Sequence, residues 1–78
     1  MAKLRIIRQE ETKKTLIGWA AMREISYVEI QPWHIRLTND GDVLDIFPQR
    51  QTYHNVTDNV RGYYKDLTKF LSDHFQID

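Results

Sequence analysis

The chain has no cysteine, only two prolines and three glycines among 78 residues, and no net charge, with 11 basic and 11 acidic side chains. The missing thiols exclude a disulfide framework and any thiolate-held metal, and they suit a reducing compartment. No apolar run approaches the roughly 20 residues that a helix needs to cross a bilayer. The opening Met1-Ala2-Lys3-Leu4-Arg5-Ile6-Ile7-Arg8 is basic but lacks the apolar core and small-residue cleavage site of a secretory leader. The expectation is a soluble, cytoplasmic protein with no membrane partner. Charge balance argues against tight non-specific nucleic-acid binding, which needs an excess of Lys and Arg. The balance hides a division. Residues 1–36 carry seven basic and four acidic groups, and residues 37–78 carry four basic and seven acidic ones. That polarity permits head-to-tail self-association, so a homodimer is one expected state.

What is present describes a small folded unit. A hydrophobic fraction of 41% and nine aromatic residues (two Trp, four Tyr, three Phe) give enough bulk for one modest core. With no linker, repeat or low-complexity tract, residues 1–78 read as a single domain. The clearest local pattern is Trp33-His34-Ile35-Arg36-Leu37-Thr38, then Asn39-Asp40-Gly41-Asp42, then Val43-Leu44-Asp45-Ile46-Phe47-Pro48. Apolar and polar residues alternate on both sides of an Asp-Gly turn, the signature of a half-buried β-hairpin. The alternation predicts Trp33, Ile35, Leu37, Leu44 and Ile46 inward and His34, Arg36, Thr38, Val43, Asp45 and Phe47 outward. Arg36 and Asp45 are then expected as cross-strand partners.

The flanking segments are read from their spacing. Ile17, Ala21, Ile25 and Val28, widened by Leu16, Trp19 and Ala20, predict a helix from about residue 10 to residue 24. Ser26 and Glu29 fit a capping box, so a short helical turn is expected before Pro32. Lys3 to Arg8 reads as a short strand with Leu4 and Ile6 on one face. Thr52 to Val56 reads as a third hairpin-side strand, and Thr57-Asp58-Asn59 as a turn. Tyr63, Tyr64, Leu67, Phe70, Leu71, His74 and Phe75 mark a closing helix over about 62–75. The predicted fold is α+β: a three-stranded antiparallel sheet, with the N-terminal segment as an optional added strand, packed against two helices.

Two stretches carry candidate function. The outward hairpin face combines Arg36 and Phe47 with His34, a set suited to stacking on a base or anchoring a protein partner. The stretch Arg50-Gln51-Thr52-Tyr53-His54-Asn55, continued by Arg61-Gly62-Tyr63-Tyr64-Lys65, interleaves Arg, His and Tyr ahead of the expected helix start, where anions are stabilised. The predicted binding residues are Arg36, Phe47, Arg50, Tyr53, His54 and Arg61. The histidines His34, His54 and His74 are isolated in sequence, so neither a metal nor any other cofactor is expected. Ser26 reads as a cap and Ser72 as an exposed helix position. A His34–Asp45 pair is the one candidate general base, and it fits an ordinary polar pair equally well, so the chain does not read as an enzyme.

Two resemblances bear on function. The order α-β-β-β-α over about residues 10–75 resembles double-stranded-RNA-binding domains, and small toxin ribonucleases of the same layout with a histidine where His34 stands. That resemblance implies a nucleic-acid binder or a small ribonuclease with His34 in its chemistry. Separately, Leu44-Asp45-Ile46-Phe47-Pro48, Tyr53-His54-Asn55-Val56 and Arg61-Gly62-Tyr63-Tyr64 look like short proteins of bacteriophages and prophages. This similarity implies an accessory or inhibitor protein that engages a host or defence protein in the host cytoplasm. The leading expectation is therefore a non-enzymatic protein-binding module. Nucleic-acid binding is the first alternative, and ribonuclease activity the second.

Overall fold

The computed structural model describes residues 2–77, with side chains from residue 10 onward. The elements run α1 (Ala2–Met22), β1 (Ser26–Gln31), β2 (His34–Asn39), β3 (Asp42–Phe47), β4 (Thr52–Asn55), β5 (Val60–Tyr63) and α2 (Leu67–Phe75). The strands form one antiparallel meander in sequence order. Its centre is the turn at Asp40 and Gly41, whose φ angles of 50° and 85° are the left-handed pair that a two-residue hairpin needs. That turn sets the register Ile35↔Ile46, Arg36↔Asp45 and Leu37↔Leu44. One face of the hairpin then presents Ile35, Leu37, Leu44 and Ile46, all fully buried. Leu16, Trp19 and Ala20 of α1 and Leu67 and Leu71 of α2 close over them, with Ile25 and Tyr64 completing the core.

The ends of both helices follow from local chemistry. Glu24 takes the left-handed conformation after α1, and the Ile25 N–H donates back to the Ala20 carbonyl at 2.9 Å. That pattern ends a helix by satisfying its last carbonyls. Asp66 caps α2, its carboxylate accepting from the Lys69 N–H at 3.2 Å and the Thr68 hydroxyl at 3.1 Å.

Several expectations are corrected. The sheet has five strands and not three, although the class is α+β as read. The order is α-β-β-β-β-β-α, so the expected α-β-β-β-α layout gives way to a longer meander. The backbone expected as an N-terminal strand over Lys3–Arg8 is the first part of α1; the shared face of Leu4 and Ile6 lies outside the described side chains. With Leu and Arg both good helix formers and no Gly or Pro before Gly18, nothing there interrupts a helix. Ser26–Gln31 is a strand, not a capped turn. The Ser-x-x-Glu spacing is met by chance, and Tyr27, Val28 and Ile30 supply the β-branched and aromatic content that favours extension.

Val60–Tyr63 is likewise a strand, so the last helix begins at Leu67 rather than near Gly62. Trp33 is 49% exposed, because Pro32 and Trp33 form the turn between β1 and β2 and the alternation begins only after them.

Candidate functional site

The face of the sheet opposite the helices carries a polar row. By register, Arg36 pairs with Asp45, Asp45 with His54, and His54 with Arg61. At the middle of the row Asp45 is only 3% exposed, the one buried charged residue among those described. Arg36 grips it with a two-pronged contact, Nε to Oδ1 at 2.8 Å and Nη2 to Oδ2 at 3.1 Å. His34 Nε2 lies 3.1 Å from the same Oδ2, and the His34 ring packs on Phe47 with centroids 4.6 Å apart. Burial pushes the Asp45 carboxyl up, but the Arg36 hydrogen bonds and the nearby His34 outweigh it and hold the group below the usual carboxylate range. The same contact raises the Arg36 guanidinium above its ordinary value. Arg36 is thus committed to an intramolecular clamp.

Beside the clamp lies a cleft of about 660 Å³, lined by Trp33, Phe47, Gln49, Arg50, Thr52, Tyr53, His54, Arg61, Gly62 and Tyr63. That volume falls within the range of small-ligand and peptide sites. None of its lining residues is acidic, although the whole chain is neutral. Three strands and two turns build it. The β1–β2 turn holds Trp33, the end of β3 and the turn after it bring Phe47 and Arg50, and β4 and β5 bring His54, Arg61 and Tyr63. Arg50 and Arg61 are exposed, and Tyr63 is the most open aromatic residue at 83%. His54 Nε2 lies 3.1 Å from the Asn59 Oδ1 of the β4–β5 loop, which steadies its ring.

The six residues expected from sequence separate into two groups. Phe47, Arg50, Tyr53, His54 and Arg61 come together around the cleft, and Arg36 does not line it. Tyr53 has a divided position. It points to the core side of the sheet, its ring 4.4 Å from Phe70, and it covers Gly62, where an added Cβ would sit 2.7 Å from the phenol oxygen. Arg61 lies in β5 and not at a helix start, and where α2 does begin the Lys69 N–H already donates to the Asp66 carboxylate, so Arg61 is not placed beside a helix N-terminus as expected. Trp33 and Tyr63 line the cleft without being among the six: the alternation places Trp33 in the core, and Tyr63, though inside the second candidate stretch, has the spacing from Leu67 that predicts a helix face.

His34 and Asp45 do meet, but Arg36 shares the carboxylate. His74 stands apart on α2, its Nε2 3.0 Å from Asp42 Oδ2. Among the described residues no three His, Asp or Glu side chains converge as a metal-binding group, and no helix is long and apolar enough to cross a membrane. In comparisons with known proteins, no family model, curated protein or solved structure matches this chain.

Proposed function

We propose that this chain is a small non-enzymatic binding module that holds an acidic segment of a protein partner in the cleft beside β4 and β5. The observation that carries the reading is the lining itself: Arg50, Arg61 and His54 interleaved with Trp33, Phe47 and Tyr63, with no acidic side chain among them. Arginine and large aromatic side chains supply most of the energy of protein interfaces. The resemblance of 44–48, 53–56 and 61–64 to short phage proteins, read from the sequence alone, would make the partner a host or defence protein and the role an accessory or inhibitory one in the host cytoplasm.

A second reading rests on the exposed rings. Trp33 and Tyr63 beside two arginines also suit unpaired bases stacked on aromatic faces. The two readings differ in which polyanion binds more tightly at matched ionic strength, and phosphate contacts add the steeper salt dependence of counterion release.

Trp33 reports on either ligand, since it lines the cleft half-exposed while Trp19 is buried. The test is a fluorescence titration with a glutamate–tyrosine copolymer and, separately, a single-stranded thymidine oligonucleotide, each at two salt concentrations. A saturable change with the copolymer, larger than with the oligonucleotide, is expected. Tighter binding of the oligonucleotide with a steep salt dependence would establish the second reading, and no response to either would overturn both.

A further inference from the structure

We propose that the free edge of β1 is a self-association surface, through which two copies of this chain join their sheets around a twofold axis at Val28. The claim is independent of the cleft and of its ligand.

The register determines which backbone groups of β1 are free. In a two-residue hairpin the flanking residues Asn39 and Asp42 exchange hydrogen bonds, so along β2 the groups of Asn39, Leu37 and Ile35 face β3. Val43 agrees: its carbonyl accepts from the Val56 N–H at 2.9 Å and its N–H donates to the Thr57 hydroxyl at 2.8 Å, both away from β2. The alternate residues Arg36 and Thr38 therefore face β1, where they oppose Val28 and Ser26. By the same alternation the N–H and C=O groups of Tyr27 and Glu29 point outward from the sheet. An edge of this kind is a template for another strand.

The edge is self-complementary in one register. With the axis at Val28, Tyr27 of each copy opposes Glu29 of the other, and both are residues with free backbone groups. Two such pairs exchange four hydrogen bonds. Val28, 59% exposed, then meets its own counterpart at the close-approach position, and Ile30 lies across from Ser26. Charge favours the same register. An axis at Glu29 would set two carboxylates directly opposite, which is destabilising, whereas the axis at Val28 separates them. Each Glu29 is also already paired with Lys13 of its own α1 at 3.0 Å. β1 pairs regularly from Ser26 to Glu29 before its register shifts, and that stretch contains the whole Tyr27–Glu29 exchange, whereas the opposite edge, β5, carries the cation Arg61 within its four residues.

An antiparallel join of this type has its axis normal to the sheet. Both α1 helices then share one face of a ten-stranded sheet, and both clefts share the other. Two clefts on one face would bind a repeated or dimeric partner with gained avidity.

The chain has no cysteine, which permits a register-specific test. Directly opposed residues at a close-approach pair have Cα atoms about 4.5 Å apart, within disulfide range. Val28→Cys is expected to oxidise to a covalent dimer, while Glu29→Cys, which faces Tyr27 across the join, is expected not to cross-link. Sedimentation of the unmodified chain between about 10 µM and 1 mM should show a reversible dimer of weak affinity. Val28→Lys, with two ammonium groups across the axis, should weaken it at least about tenfold. Tyr27→Pro removes only an outward-facing donor, so it should do the same while far-UV circular dichroism stays native. A chain that remains monomeric throughout that range, a dimer unaffected by Val28→Lys, or cross-linking of Glu29→Cys as efficient as that of Val28→Cys would each overturn the proposal.

Discussion

Tyr64 and Asp45 are buried, and the fold shifts the ionisation of each. The Tyr64 hydroxyl is buried with no hydrogen-bond partner, and burial pushes its pKa from 10.0 up to about 12. The folded chain therefore holds the phenol proton more tightly than the unfolded chain does. This contribution is fully present below pH 10 and is lost as pH rises towards 12. Tyr64→Phe removes an unsatisfied hydroxyl, so it is expected to match or exceed the parent in stability by up to about 1 kcal/mol. Urea titrations at neutral and alkaline pH check both points, and the variant should lose less stability above pH 10.

Asp45 has the opposite sign. Its pKa is depressed in the fold, so its contribution is present above 3.8, the ordinary carboxyl value, and is lost as pH falls through the lower folded value. Asp45→Asn leaves Arg36 and His34 facing a neutral group. It should cost about 2 kcal/mol at neutral pH, with half-exposed Arg36 keeping the loss below that of a fully buried pair. The same titrations should show the deficit shrinking towards low pH.

At the scale of elements, the chain was legible where local and tertiary signals agree. The β2–β3 hairpin follows from strict alternation and an Asp-Gly pair that tolerates two left-handed residues, and its inward residues fall as the alternation requires except Trp33, which lies in the turn before β2. It failed where three- or four-residue steps between apolar residues arise inside strands. Ile25 and Val28 are three apart but belong to the approach and middle of β1; Tyr63 and Leu67 are four apart but lie on either side of the Asp66 cap. Short edge strands with one wet face leave little periodic signal, and the partner that holds them is remote in sequence. The cleft shared this fate. Arg50, His54 and Arg61 stand out as an Arg- and His-rich stretch, but Trp33 lines the same cleft only because β1 is a strand, which puts Trp33 in its turn with β2.

Gly62 tests the β4–β5 pairing directly. A Cβ there meets the Tyr53 ring at 2.7–2.9 Å, and that ring is backed by Phe70. Gly62→Ala should destabilise by about 1–3 kcal/mol in a urea titration. Adding Tyr53→Leu, which vacates the space, should recover part of the loss, giving a non-additive pair.

For the molecule as a whole, the two faces of one sheet differ in chemistry. The helix-covered face supplies the apolar burial, and the other face holds a carboxylate clamp beside a cationic, aromatic cleft. The central claim is that the cleft and not the clamp does the binding. Its most direct test is the affinity of the glutamate–tyrosine copolymer for three proteins: the parent, Arg50→Ala/Arg61→Ala, and Arg36→Lys, which keeps a cation on Asp45. Both cleft arginines are exposed, so the double variant should retain its circular dichroism and lose at least about tenfold in affinity. Arg36→Lys should bind within about twofold of the parent. Undiminished binding by the cleft variant, or a larger loss from Arg36→Lys, would contradict the account.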